Sequence, residues 1–249
     1  LPLITSSLDN PIFEVRKEAV NAIVVFKGKE AIKDITSYMM KHTEENDQEI
    51  AKNALMTITG SKDLPILLPV LKEGPPQAKK TVIEILAWSK QSDYFQTVLP
   101  YIFSDVEYLI TAAYKALPEL VSPSDQEIII ELISQNSNPV YIADLQIALS
   151  NAANKISDPE KRSDAILQSP LIKANKEKLI PVLANIGGRK ALEYVLNEFE
   201  NGSPELRDIC FKAITSWKDY SAASALFEIC ASGNKTFEGP AFNAYVRIV

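Results

Sequence analysis

Few residues in this chain are equipped for chemistry. Its single histidine, His42, is followed by Thr43-Glu44-Glu45-Asn46-Asp47, and an imidazole beside carboxylates is the beginning of a metal site. Zinc, however, is held by three or four ligands drawn mainly from histidine and cysteine, and no second residue of either type stands near. The stretch reads as a solvated turn between helices, and no metal is expected there. Cys210 and Cys230 sit among apolar neighbours, where buried free thiols are expected rather than a disulfide. The carboxylate pairs Glu44-Glu45, Asp125 with Glu127, and Glu198 with Glu200 have the composition of a glycosidase centre, but each falls at a turn or on a polar face. Gly187-Gly188 before Arg189-Lys190 has the makings of a phosphate-binding turn at a helix start; a helix C-cap and loop is the simpler reading. No Walker loop, dinucleotide fingerprint or nucleophile elbow is present. Neither a catalytic residue nor a cofactor is expected.

The elements that carry these residues are easier to read. The chain has 249 residues, 46% hydrophobic and 23% charged, with 8 glycines and 15 prolines. That balance suits many short helices joined by tight turns. A net charge of −6 without a basic run of five or more residues argues against a nucleic-acid partner. No stretch of about 18 apolar residues is available to span a membrane. A nine-residue pattern begins at Val15, as Val-Arg-Lys-Glu-Ala-Val-Asn-Ala-Ile, and returns at Ile50, Ala78, Leu109 and Tyr141, with weaker copies at Lys178, Leu206 and Phe237. Self-similarity at roughly 20 to 50 residues marks a repeat architecture.

Within each copy the fifth, sixth and ninth positions share one helical face. The ninth is apolar throughout: Ile23, Ile58, Leu86, Leu117, Leu149, Ile186, Ile214 and Tyr245. The fifth is usually small, as in Ala19, Ala54, Ala113, Cys210 and Ala241, which lets helix axes approach closely. Asn10-Pro11, Asn138-Pro139, Asp158-Pro159 and Ser203-Pro204 place a capping side chain before a proline and predict helix starts. The partner helices, 62–72 and 91–103, carry Leu-Pro-Ile-Leu-Leu-Pro and Val-Leu-Pro-Tyr-Ile, and are expected to bend at their prolines.

With Asp9-Asn10-Pro11 leading into Val15-Arg16-Lys17-Glu18-Ala19, and Ser203-Pro204-Glu205-Leu206-Arg207-Asp208, the chain resembles the HEAT-repeat (armadillo-like) family over nearly its whole length. The resemblance implies an all-α, right-handed α-α superhelix of about seven to eight helix pairs, with residues 1–249 forming one repeat domain. More narrowly, Phe211-Lys212-Ala213-Ile214-Thr215-Ser216-Trp217-Lys218-Asp219 and Asn243-Ala244-Tyr245-Val246-Arg247-Ile248-Val249 are similar to HEAT segments of secreted bacterial proteins that carry a concanavalin-like domain of the 3-keto-disaccharide hydrolase type. This implies an accessory segment of a longer carbohydrate-processing protein, in the periplasm or outside the cell. The ends, Leu1 inside a helix and Val249 closing an apolar run, fit a fragment of such a protein.

Extended helical stacks present a concave surface lined by the second helix of each pair. On that face the pattern places Arg16, Lys52, Lys80 and Arg207 as candidates for binding an acidic partner, or for a structural ladder of ion pairs with Asp9 or Asp208. Trp88 and Trp217, near turns holding Tyr94 and Tyr220, are candidates for stacking on sugar rings if exposed. The function expected is a non-catalytic scaffold, monomeric, holding a protein partner or an adjacent domain of the same polypeptide. Two alternatives stand beside it: a carbohydrate-binding accessory domain, and a solenoid-type enzyme related to bilin lyases or DNA glycosylases.

Overall fold

The computed structural model describes residues 2–249; the expectation for Leu1 lies outside them. Every regular element among the described residues is helical, and contacts divide the chain into two compact units, Leu1–Leu120 and Val121–Val249. The first unit holds α1 (Pro2–Ser7), α2 (Phe13–Lys27), α3 (Ile32–Lys41), α4 (Glu45–Ile58), α5 (Leu68–Glu73), α6 (Pro76–Ser89), α7 (Phe95–Val98) and α8 (Glu107–Leu120). The second holds α9 (Gln126–Gln135), α10 (Pro139–Asn154), α11 (Asp164–Gln168), α12 (Lys176–Ile186), α13 (Arg189–Asn201), α14 (Pro204–Thr215), α15 (Ala223–Ala231) and α16 (Lys235–Ile248). These make eight consecutive pairs, four in each unit. In the first unit α2, α4, α6 and α8 pack in file, and in the second α10, α12, α14 and α16 do the same.

Each even-numbered helix carries one copy of the sequence repeat. Ile23, Leu86, Leu117, Leu149, Ile186 and Ile214 are all buried at its ninth position, with Ala19, Val82, Ala113, Leu145, Val182, Cys210 and Ala241 at the fifth. The second copy departs from this register. Within the second copy the buried residues are Ala51 and Leu55, followed by the cap residue Thr59, while Ala54 and Ile58 are half-buried, so its inward stripe is turned by about one residue. Tyr245 on α16 is half-buried as well.

The odd-numbered helices break at their prolines rather than bend. Leu64–Leu67 is a 3-10 turn before α5, and α7 is a single turn of α-helix between the 3-10 segments Ser92–Tyr94 and Leu99–Phe103. A proline inside a helix removes one backbone hydrogen bond and collides with the preceding turn; short 3-10 segments satisfy the freed carbonyls instead. The predicted starts mostly hold. Asn138 accepts from Val140 N at 3.0 Å and Ser203 from Leu206 N at 3.3 Å. Asn10 instead accepts from Ile12 N and α2 begins later, at Phe13. Asp158 caps only the short turn Pro159–Lys161.

Polar rungs join neighbouring even helices. Arg16 on α2 pairs with Asp47 on α4, Gln48 on α4 accepts from Thr81 on α6, and Gln146 on α10 donates to the Lys178 carbonyl on α12 at 2.7 Å. Hydrogen bonds between buried groups of known spacing fix how far one helix slides on the next, which apolar packing alone leaves loose.

Candidate functional site

The cations named from sequence are largely committed to the stack. Arg16 is buried: its Nε and Nη2 donate to the Asp47 carboxylate at 2.8 and 2.6 Å, and its Nη1 donates to the Asn10 and Pro11 carbonyls. The ladder partner is Asp47 of the following pair, not Asp9, which binds Lys41 at 2.6 Å. Asp47 had been placed in a solvated turn; its relative exposure is 0%, and the Tyr38 hydroxyl donates to it too. Burial opposes its charge, but the bonds from Arg16 and Tyr38 win and hold the carboxyl below its ordinary range. Burial, followed by the bond to Asp47, pushes the Tyr38 phenol up.

His42 closes α3 beside this cluster. Its ring lies 4.7 Å from that of Tyr38, and Nε2 stands 3.5 Å from Asp9 Oδ1. No group of three or more metal-ligating side chains occurs among the described residues.

In the second unit Arg207 donates to the Phe199 and Glu200 carbonyls at 3.0 and 3.2 Å, capping the end of α13. Lys178 similarly gathers the Ile133 and Asn136 carbonyls at 3.1 and 2.8 Å. Arg207 also lines a groove of about 330 Å³ with Leu196, Phe199 and Phe237. Two carboxylates expected on polar faces turn out to be buried: Asp125 completes a capping box with Ser122, and Glu198 takes Lys176 at 2.8 Å.

The glycine pair is structural. Gly187 and Gly188 have φ of 77° and 90° with extended ψ, a region open essentially to glycine alone. The amides that would receive a phosphate already have carboxylates: Gly188 N donates to Asp219 at 2.9 Å and Arg189 N to Glu160 at 3.4 Å. Of the tryptophans, Trp217 is only 2% exposed and donates Nε1–H to Ser221 at 3.1 Å, so its ring has no face to offer a sugar. Trp88, at 51% exposure, does. Cys210 is buried but Cys230 is half-buried, and both are free thiols. Burial, with the nearby Glu198 charge, pushes the Cys210 thiol up to about 11.

Lys52 and Lys80 are brought together. They line a cleft of about 360 Å³ in the first unit, walled by Glu45, Gln48, Glu49 and Lys52 of α4 and by Gln77, Lys80, Thr81 and Glu84 of α6, with Thr43 and Tyr108 at its ends. Its floor is internally bonded. Lys52 Nζ lies 2.5 Å from Glu49 and 3.1 Å from Glu84; Lys80 leans on Glu84 at 3.7 Å; and Gln48 spends its amide on the Met39 and His42 carbonyls and on Thr81. Burial would lower Lys52, but the bonds to Glu49 and Glu84 outweigh it and hold the ammonium above its ordinary value. The bond from Lys52 holds Glu49 below its own. Trp88 follows Lys80 and Glu84 along α6 at four-residue steps, on the same stripe. Sequence spacing supplied Lys52 and Lys80; it gave no signal for Gln77 or Tyr108, polar residues at ordinary exposed positions.

No protein-family model and no curated protein matches the chain. Among solved structures it is similar to an engineered protein (16% identity over 98% of this chain and 77% of that one, TM-score 0.46). It is also similar to human deoxyhypusine hydroxylase in complex with glycerol (16% identity, 99% and 96%, TM-score 0.42). A third likeness is to the complex of CpcE and CpcF of phycocyanin lyase from Nostoc (13% identity, 100% and 94%, TM-score 0.32). No helix among the described residues is long and apolar enough to cross a membrane. The fold is an all-α stack of repeated helix pairs of the HEAT/ARM-like kind.

Proposed function

We propose that this chain is a non-catalytic helical-repeat scaffold that holds a protein partner or a neighbouring domain on its even-helix face. One observation carries this reading. Two charged groups that line the cleft between α4 and α6 are held away from neutrality, Lys52 upward and Glu49 downward, whereas acid–base catalysis needs a group poised near the working pH. The strongly shifted groups elsewhere, Arg16, Tyr38, Tyr194 and Cys210, lie within the packed helices, and Arg16 and Tyr38 are bonded there to Asp47. In its finer form, resting on the sequence similarity of 211–219 and 243–249, the chain is an accessory segment of a secreted carbohydrate-processing protein. A carbohydrate-binding role has lost one of its two aromatic candidates, and Trp88 alone supports it.

The test compares co-purification by the wild-type chain, by a Trp88→Asp/Tyr108→Asp variant on the even-helix face, and by Lys33→Glu at an exposed position of α3. A partner lost only with the first variant supports the scaffold. Turnover of a glycoside, ester or peptide substrate that a single cleft substitution abolishes overturns it.

A further inference from the structure

Lys52 and Lys80 were expected from sequence to meet an acidic partner or to form a ladder of ion pairs, and in the first unit's cleft they pair with its own carboxylates. Three carboxylates, Glu45, Glu49 and Glu84, face two ammonium groups, Lys52 and Lys80. Both ammonium groups are turned toward carboxylates of the cleft itself: Lys52 to Glu49 and Glu84, Lys80 to Glu84. Glu45 has no such partner; it is exposed in the first turn of α4. An anion binding at Lys52 would have to displace Glu49 or Glu84, giving up contacts at 2.5 and 3.1 Å, which leaves it only Lys80, itself 3.7 Å from Glu84. A cation needs no such exchange.

The remaining lining has the same preference. Tyr108, 38% exposed at the start of α8 and part of the lining, brings an aromatic ring within reach of a planar cation. Glu107, its exposed neighbour, adds a further negative charge at that end. Gln77 is exposed at the start of α6 with its amide free to accept. A cleft of about 360 Å³ is the size for one long side chain, not for a folded element.

Resting on the scaffold reading above, we infer that this cleft takes an arginine or lysine side chain of a partner polypeptide, with Glu45 as its counter-charge and the Tyr108 ring as its platform. Gln77 accepts a further N–H from the guanidinium or from the backbone beside it. The bonded floor of Gln48, Lys52, Thr81 and Glu84 is a rigid base that does not rearrange on binding.

The experiment titrates N-acetyl-arginine N-methylamide against the isotopically labelled chain and follows backbone amide shifts, with N-acetyl-glutamate N-methylamide as the opposite probe. The arginine probe is expected to move amides of 45–52, 77–84 and 108, and the glutamate probe to leave them in place. Glu45→Gln should weaken arginine binding about two- to fivefold, the range for one exposed ion pair. Lys80→Gln, which removes a competing positive charge, should strengthen it. Raising salt well above 0.1 M should shrink all these differences, since the charges are within reach of screening ions. A glutamate response larger than the arginine response, or an unchanged affinity in Glu45→Gln, overturns the inference. Silence toward both probes overturns it as well, and leaves the scaffold standing, because that proposal fails on substrate turnover and not on the chemistry of one side chain.

Discussion

Arg16→Met is the most informative single change in the first unit. The wild-type side chain makes two charge-assisted bonds to Asp47, at 2.8 and 2.6 Å, and two more to the Asn10 and Pro11 carbonyls. Methionine fills a similar volume and makes none of these bonds, so the fully buried Asp47 carboxylate keeps only the Tyr38 hydroxyl. Removing one partner of a buried pair costs about 3–5 kcal/mol, chiefly because the other charge is stranded. Removing both together, in Arg16→Met/Asp47→Leu, should cost at least about 2 kcal/mol less than Arg16→Met alone, since apolar replacements of a buried pair are often nearly neutral.

The chain has two tryptophans, Trp88 in the first unit and Trp217 in the second. Urea unfolding followed by fluorescence in a Trp217→Phe background therefore reports the first unit alone. The pH dependence supplies a sign. In the wild type the folded-state pKa of Asp47 lies below 3.8, so its contribution is present above that value and is lost as pH falls through the folded one. In Arg16→Met, burial without the counter-ion raises the Asp47 pKa above its unfolded value. The variant then gains stability relative to wild type as pH falls, and the gap between them narrows from pH 7 toward pH 4. A penalty under about 1 kcal/mol, a double variant as weak as the sum of the singles, or a gap that widens in acid would each refute the buried-pair argument.

Leu117→Ala in the first unit and Leu149→Ala in the second, both fully buried, should each cost about 2–5 kcal/mol in urea unfolding. Lys52→Ala should cost no more than about 1 kcal/mol, as expected for a partly exposed ion pair. Gly187→Ala would set a methyl 2.2 Å from Asp219 Oδ2 at a φ of +77°. Backbone strain of about 1–3 kcal/mol, plus about 1–3 kcal/mol for the disturbed bonds of Asp219, should show as an early unfolding transition in Trp217 fluorescence. With its thiol pushed up to about 11, Cys210 should react with a disulfide reagent at pH 8 only as fast as the fold opens, whereas the half-buried Cys230 should react first. Equal rates for the two thiols would contradict that order.

The even-numbered helices were legible because their apolar residues recur at helical spacing and because a small residue at a fixed position is what close stacking demands. The slip at α4 arose where Ile50, Leu55, Met56 and Ile58 offer two adjacent apolar stripes, and periodicity alone cannot choose between them. Asp47, and with it the identity of the partner of Arg16, was misplaced for a different reason. A charged residue at a helical position reads as solvated unless its counter-charge is known, and here the counter-charge lies one pair further along the chain. Trp217 likewise depended on Ser221 and on packing beneath its turn. Of the cleft, Lys52 and Lys80 were visible as repeated cations, but the direction of their bonds, on which the ligand preference turns, belongs to the assembled helices.

The prolines of the first unit also bear on where it opens. Its odd-numbered layer, from 64 to 103, is assembled from short α and 3-10 segments, while α6 and α8 opposite are unbroken runs of 14 residues each. The hydrogen bonds of 3-10 segments have poorer geometry than those of an α-helix. Amides of the short segments at 64–73 and 92–103 should therefore exchange with solvent before those in the middle of α6 and α8, so the odd layer opens ahead of the even layer that carries the cleft.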